Sequence, residues 1–269
     1  FGIAQVGKAF RNEITTGNFI FRTREFEQME MEFFCHPDKT GKWLDYWKEE
    51  RLNWFKSLGI NSDKLRLRAH GKDELAHYSS ACYDVEYKFD FGWSELEGIA
   101  DRGTYDLDQH IAHSNKKLTY FDQQNNQHFV PAVVEASAGV DRAMLTLLAD
   151  AFNQEEVNGE NRTVMKLSPK LSPIKVAVFP LMNKLNMPEF AKKLIDDFRQ
   201  SDIASFYDAG GSIGKRYRRQ DEAGTPFGIT IDHDTFEDNT VTLRDRDTMK
   251  QKRIPAEKIV DTIKDLIKK

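Results

Sequence analysis

The sequence predicts an α/β protein in two parts. The first is an antiparallel sheet with flanking helices, and the second is a smaller module in which strands and helices alternate. Three observations carry this. Residues 1–34 alternate in polarity on both sides of a Thr-Thr-Gly-Asn turn, the pattern of a long antiparallel hairpin. Two stretches, "KWLDYWKEERLNWFKSLG" and "GVDRAMLTLLADAF", carry apolar residues at helical spacing. Beyond residue 166, the apolar runs "KVAVFPL", "FGITID" and "TVTLRD" alternate with helical segments, as expected of a compact α/β unit.

Taken in order, the elements read as follows. Strands over 3–14 and 19–34 flank a turn at 15–18. In the second strand Phe26, Gln28, Glu30 and Glu32 share one face, and Met29, Met31 and Phe33 share the other, because side chains two apart in a strand point the same way. The same rule groups Gly7, Ala9, Arg11 and Glu13. The next segment is a helix placing Trp43, Trp47, Trp54, Phe55 and Leu58 on one side and stopping at Gly59. Strands follow near 82–91 and 129–137, the latter pointing Glu135 and Ser137 together. A helix then begins near Gly139 and Asp141, with Val140, Met144, Leu147, Leu148 and Phe152 as its inner face. The second part has helices near 188–201, 213–222 and 256–268. Two Ser-Pro pairs in "RTVMKLSPKLSPIKVAVFPL" mark a boundary near Lys166, giving domains 1–165 and 166–269.

Composition narrows the function classes. A chain of 269 residues with 39% hydrophobic and 12% aromatic residues is a folding sequence, not a disordered one. It has no apolar run near the ~18 residues of a membrane span and no signal-peptide layout, so the expectation is a soluble, cytoplasmic protein without a membrane partner. The net charge of -4 is uneven: residues 1–165 hold 19 Lys+Arg against 27 Asp+Glu, and 166–269 hold 20 against 16. The basic second part is the better match for a polyanion. Cys35 and Cys82, with His36 and His77 nearby, match no paired-ligand spacing, so no zinc is expected. "GGSIGK" separates Gly210 from Gly214 by only three residues and has Arg216 where a phosphate loop needs Ser or Thr. None of the seven histidines sits in a nucleophile-base arrangement.

A solvated sheet face with cross-strand ion pairs produces the same alternation of polar residues as a binding floor. The motifs favour the floor. "FRNE", a loop and "FRTREFEQMEMEFF" resemble motif 2 of the class II aminoacyl-tRNA synthetases, and "GVDR" opening an apolar helix resembles motif 3. "GKAFRNEI", "NFIFRTREFEQME", "GWSELEGIADR", "YDLDQH" and "EASAGVDR" are similar, in order, to the glycyl-tRNA synthetase family of the dimeric type. The resemblance runs almost end to end.

That resemblance implies ATP-dependent activation of glycine and its transfer to tRNA-Gly. It implies catalytic roles for Arg11, Glu95 and Arg142. ATP contacts would come from Arg11, Asn12 and Glu13, from Phe21, Arg22, Thr23, Arg24, Glu25 and Phe26, from Glu95 and Leu96, and from Gly139, Val140, Asp141 and Arg142. Arg11 would hold the α-phosphate, Glu13 would read the adenine amino group, and Phe26 would stack on adenine. Glycine would be bound by Phe26, Glu27, Gln28, Met29 and Glu30 and by Glu135, Ala136, Ser137, Ala138 and Gly139. Mg²⁺ accompanying ATP would be held at Glu95. The second part resembles the anticodon-binding module of this subgroup, with Lys215, Arg216, Tyr217, Arg218 and Arg219 as tRNA contacts.

Three departures stand out. Ala136 replaces a usual proline, which is expected to loosen the glycine pocket. Gly17 replaces a loop-tip arginine, and "DRGTYDL" replaces "DRTDYDL". Nothing corresponds to motif 1, which supplies much of the homodimer interface, or to the upstream glycine-binding loop. A fragment or split gene product, inactive in exchange by itself, is the expectation. The alternatives are a non-catalytic tRNA- or DNA-binding paralogue and a metabolic ligase for another small amino acid.

Overall fold

Alternation places β1 (Gly2–Phe10) and β2 (Glu25–Cys35) side by side, paired antiparallel from Gly2 opposite Phe33 to Phe10 opposite Glu25. The computed structural model describes residues 1–268. Strand geometry ends sooner than the sequence suggested. Residues 11–24 form a long loop containing a single 3₁₀ turn, Phe19–Phe21, and an isolated bridge between Gly17 and Arg22. Arg11 and Glu13 therefore sit on the loop, not on a strand.

Helix α1 (Thr40–Ser57) follows, with Leu44 and Phe55 buried and Trp43, Trp47, Trp54 and Leu58 packed on the same core. Gly59, at φ 96°, takes the left-handed turn that stops it. Next come β3 (Leu65–Ala69), β4 (Ala81–Phe89) and β5 (Gly92–Gly103). The segment read as one strand near 82–91 is thus the first arm of a hairpin whose two-residue turn is Asp90-Phe91. Helix α2 (Tyr105–Ser114), a small hairpin of β6 (Tyr120–Asp122) and β7 (Gln127–Phe129), β8 (Ala132–Gly139) and α3 (Val140–Ala151) complete the first unit.

The main sheet has the order β1-β2-β8-β5-β4-β3 and is antiparallel throughout. One face packs on α1 through Met29, Met31, Phe33, Val85, Ile99, Val134 and Ala136. The other face carries the polar residues. The inner face of α3 differs from the expected one. Ala143 and Thr146 are buried, whereas Met144 and Leu148 are exposed, as is Phe152 just past the helix.

The compact units divide between Ala149 and Asp150, in the last turn of α3, not near Lys166. The hairpin of β9 (Phe152–Val157) and β10 (Glu160–Met165) belongs with the second unit. The reason is a buried charge: Arg162 on β10 donates to Asp221 at 2.9 Å, and Arg244 donates to the same carboxylate at 2.8 Å. With this division the second unit, 150–269, holds 21 Lys+Arg against 20 Asp+Glu, so most of the basic excess disappears.

The rest of that unit comprises β11 (Val176–Pro180), α4 (Met187–Gln200), β12 (Ser205–Tyr207), α5 (Ile213–Ala223), β13 (Phe227–Ile231), α6 (Thr235–Asp238), β14 (Thr240–Asp245), β15 (Gln251–Pro255) and α7 (Ile259–Lys268). Its sheet runs β12-β11-β13-β14-β15, with β11 parallel to both neighbours and the remaining pairs antiparallel. Val178, Ile229, Val241, Leu194, Phe198 and Ile263 lie at its core. Among the described residues, no helix is long and apolar enough to cross a membrane.

Candidate functional site

The polar face of the main sheet holds a cleft at the end where β2, β5 and β8 meet the 11–24 loop. Arg11, Glu13, Phe21, Arg22, Thr23, Phe26, Gln28, Glu95, Leu96, Ser137, Gly139, Asp141 and Arg142 line it, together with Ile20, which the sequence did not single out. Its enclosed part is small, about 80 Å³, because its mouth is open.

Two arginines shape the cleft in different ways. Arg142, in the first turn of α3, is engaged through two of its nitrogens. Nε donates to the Phe21 carbonyl at 3.1 Å and Nη1 donates to the Glu95 carbonyl at 3.0 Å, with the Glu95 carboxylate 3.4 Å away. Its guanidinium carbon lies 4.4 Å from the Phe21 ring centroid, a cation-π contact that fixes the plane of the fork. Arg142 thereby ties α3, the loop and β5 into one wall. Arg11 is different. Its backbone N–H donates to the Arg24 carbonyl at 2.9 Å, which fixes its position, while its side chain rests 5.7 Å from the Phe26 ring. Among the described residues, the Arg11 guanidinium has no hydrogen bond or ion pair, so an exposed cation faces the cleft with its donors free.

Not every predicted contact reaches this cleft. Arg24 turns back to donate to the carbonyl of Glu13 at 2.9 Å and to that of Ile14 at 3.4 Å, so it braces the loop. Glu25 pairs with Lys8. Asn12 and Val140 do not line the cleft. Asp141 lines it while its carboxylate accepts from the Glu27 N–H at 3.0 Å, joining β2 to the start of α3.

Behind the cleft lies a row of polar groups set by strand register. Glu30 is opposite Ser137, and Glu32 is opposite Glu135. Gln28 donates to Ser137 Oγ at 2.6 Å, and that hydroxyl donates to Glu30 at 3.3 Å. Glu135 accepts from Arg102 Nη1 at 2.6 Å, and Arg102 also donates to both oxygens of Asp106, at 2.6 and 2.9 Å. Arg102 went unassigned in the sequence, although "IADRGTYDL" puts it one strand away from Glu135; only the register reveals that it neutralises that carboxylate.

Alternation also corrects the glycine-contact assignment. Met29, Ala136 and Ala138 occupy the odd face of β2 and the even face of β8, and the sheet turns those faces towards α1. They are not cleft residues. Ala136, 4% exposed and paired with Met31 and Ile99, points away from the floor, so its substitution for proline does not loosen the polar row.

The packed carboxylates perturb one another. Burial, then the adjacent Glu135, raises the Glu32 carboxyl to about 7, with Arg102 opposing and Glu30 adding to the effect. A carboxyl raised above its unfolded value costs nothing below pH ~4.5 and destabilises progressively as pH rises towards 7. Glu32→Gln is expected to remove that decline, making the chain more stable than the parent at pH 8 by about 1–2 kcal/mol after discounting solvent screening, with no difference at pH 4. Chemical denaturation at the two pH values checks this.

The second unit departs most from expectation. Of the five residues expected to contact tRNA, two are internal. Arg216 is 4% exposed and donates to the carbonyls of Pro180, Ala209 (3.0 Å) and Gly211 (2.8 Å). Tyr217 packs on Phe179 and exchanges a hydrogen bond with Thr230 at 2.7 Å. Its ring lies so close to Gly228 that a Cβ there would stand 2.6 Å from it. Helical periodicity turns 216, 217 and 220 inward, leaving Lys215, Arg218 and Arg219 outside. Arg218 is paired with Glu160, and Arg219 with Asp208. Arg216→Ala is expected to cost about 3 kcal/mol or more by stranding three carbonyls, against less than about 1 kcal/mol for Arg218→Ala, as read from urea midpoints.

Comparison with known proteins bears on the whole chain. Residues 1–151, more than half of it, match the tRNA synthetase class II core domain (G, H, P, S and T). The chain belongs to this class II synthetase family. In the synthetase core the cleft and the polar row fall within the matched segment. Residues 175–266 match the anticodon binding domain. Proteins called glycine–tRNA ligase from Caldanaerobacter subterraneus subsp. tengcongensis and Clostridium tetani are both 52% identical, over 100% and 99% of this chain. One from Treponema denticola is 49% identical over 100% of it. The chain spans 58%, 57% and 60% of those relatives, a little over half their length.

Proposed function

We propose that the chain carries the nucleotide- and glycine-binding part of a glycine–tRNA ligase. The observation that carries this reading is the meeting of Arg11, Phe26, Glu95 and Arg142 in one cleft that continues into the Gln28–Ser137–Glu30 chain. The proposed reaction is attack of the glycine carboxylate on the ATP α-phosphorus, with pyrophosphate leaving, followed by transfer of the glycyl group to the 3′ hydroxyl of tRNA-Gly.

Each part of the cleft suits a step. As the attack proceeds, negative charge gathers on the phosphate oxygens, and the unpaired Arg11 guanidinium is the donor aimed there. Arg142 and Phe21 provide a rigid wall for the base, and Phe26 an aromatic face beneath it. Glu30 offers a carboxylate suited to an ammonium group, beside Glu32 and the Arg102-paired Glu135, and Gln28 and Ser137 keep it oriented. A cation bound there would oppose the burial, and the Glu135 repulsion that adds to it, which raise Glu32. Glu95 fits a hard divalent ion, since Mg²⁺ takes one or two carboxylates together with substrate phosphates and keeps its waters. Its carboxylate lines the cleft and is half exposed. Mg²⁺ bound with ATP would supply charge neutralisation on the phosphates. The test is glycine-dependent ATP–pyrophosphate exchange, whose absence from a folded, complete enzyme carrying this segment would refute the reading.

The second unit is proposed to meet the anticodon end of the tRNA, and the whole enzyme to act as a cytoplasmic homodimer. With Arg216 and Tyr217 internal, Lys215 is, among the described residues, the cation of the original set without an ion pair. Lys215→Ala is expected to weaken tRNA binding and lower the slope of log affinity against log salt by about 1, with the melting temperature unchanged. A slope unaffected by the substitution would take Lys215 out of the interface.

A further inference from the structure

Two strands from Glu135, on the same face of the sheet, β3 and β4 bring together three side chains that the reaction above does not use. The His70 N–H donates to the Cys82 carbonyl at 3.0 Å, which sets His70 across from Cys82. Asp84 is two residues further along β4 and shares the face of Cys82. One ligand atom from each of His70, Cys82 and Asp84 lies within 4.8 Å of the other two. Two side chains come from one face of β4 and the third from the residue just past the end of β3 (Leu65–Ala69), held opposite Cys82 by that backbone bond.

His70 Nε2 lies 2.8 Å from Asp84 Oδ2, within ion-pair distance but out of hydrogen-bonding alignment, and it is closed off from solvent. A buried nitrogen without an aligned bond is costly. A cation between them would use both. Asp84 is 5% exposed, and Cys82 is a free, half-buried thiol. Arg68 also touches Asp84, at 3.2 Å, yet it holds Glu74 at 3.0 Å and Glu86 at 3.1 Å. A metal taking Asp84 would leave Arg68 paired.

We propose that His70, Cys82 and Asp84 form a site for a divalent transition-metal ion of the zinc class, with a fourth position open to water. Imidazole, thiolate and carboxylate together suit a borderline-soft ion at 2.0–2.3 Å, and a thiolate excludes Mg²⁺ as the preferred occupant. Linear spacing hid the site because Cys82 takes its histidine across the strand pair, not from His36 or His77. Register continues the row from Cys82 through Ala100 to Glu135, and from Asp84 through Gly98 to Ser137. Small residues on β5 thus separate the metal from the glutamate row by about two strand spacings, roughly 10 Å. The ion would add positive charge beside a carboxylate cluster without occupying the cleft.

Cobalt(II) is the probe, titrated into the metal-free 269-residue chain and followed by absorbance and equilibrium dialysis. The expected result is one ion per chain with a thiolate-to-cobalt charge-transfer band. Cys82→Ser should abolish the band and weaken binding roughly tenfold or more, His70→Ala should weaken binding by a similar factor while keeping a weaker band, and Cys35→Ala should change neither. Circular dichroism confirms folding, and His70→Ala stands as the test if Cys82→Ser does not fold. Absence of the band in the parent, its persistence in Cys82→Ser, or unchanged affinity in His70→Ala overturns the proposal. None of these readouts depends on glycine, ATP or tRNA.

Discussion

In a complete enzyme carrying this segment, Arg11→Ala is expected to lower the proposed glycine-dependent ATP–pyrophosphate exchange by about 10²-fold or more and to leave the melting temperature where it was. Both halves of this expectation come from the same fact. Among the described residues, the guanidinium has no ion pair and only a loose contact with Phe26, so the folded chain loses little when it is removed. A donor that the fold does not use is available to an anionic ligand, on the proposed reaction to the phosphate as charge develops on it. Arg11→Lys should recover only part of the loss, because one ammonium cannot reproduce the two parallel donors of a planar fork. Exchange that is unchanged in Arg11→Ala would remove this residue from the reaction.

Arg142→Ala is expected to be at least as damaging, by about 10²- to 10³-fold, and for a different reason. Arg142 holds the Phe21 carbonyl and the Glu95 carbonyl, so its loss leaves two acceptors unmet and frees the loop from β5. Its removal should cost roughly 1–2 kcal/mol of stability and weaken ATP binding as well as exchange. The pair of variants thus separates two roles. On the proposed reaction, Arg11→Ala would act on the developing charge and Arg142→Ala on the shape of the site before any chemistry begins. Isothermal titration with ATP, set beside the exchange rates, distinguishes them; equal ATP affinity in parent and Arg142→Ala would refute the structural half of its role.

Much of the first unit was legible because period-two alternation is unambiguous where one sheet face is buried. Met29, Met31 and Phe33 had to face a core, so Gln28, Glu30 and Glu32 had to face the other way, whereas the register that sets Glu30 opposite Ser137 and Glu32 opposite Glu135 came only from the strand pairing. The same rule, applied residue by residue, would have excluded Met29, Ala136 and Ala138 from the polar floor. The motif resemblance had carried them in as contiguous runs. The β4–β5 hairpin was missed because Asp90-Phe91 is a tight turn without Asn-Gly or a similar signal. The boundary near Lys166 differs from the division at Asp150 because Ser-Pro pairs mark a break in regular structure, whereas the β9–β10 hairpin is tied to the second unit by the Arg162–Asp221–Arg244 network, which no local pattern reveals. Arg216 illustrates the general limit. A run of Lys, Arg, Tyr, Arg and Arg looks like a basic surface, but a helix turns every third or fourth residue inward, and an arginine can be buried where three carbonyls await it. Long-range pairing likewise created the Arg102–Glu135 contact and the His70–Cys82–Asp84 cluster.

The most direct test of the account replaces the aligned 57% of the Clostridium tetani relative with this chain and measures ATP–pyrophosphate exchange with glycine, alanine or no amino acid. The account predicts exchange with glycine that disappears in Arg11→Ala, and at least ~10-fold less with alanine, since one added methyl is expected to crowd the proposed glycine floor. A folded chimera that exchanges no pyrophosphate with glycine, or exchanges it equally with alanine, would contradict it.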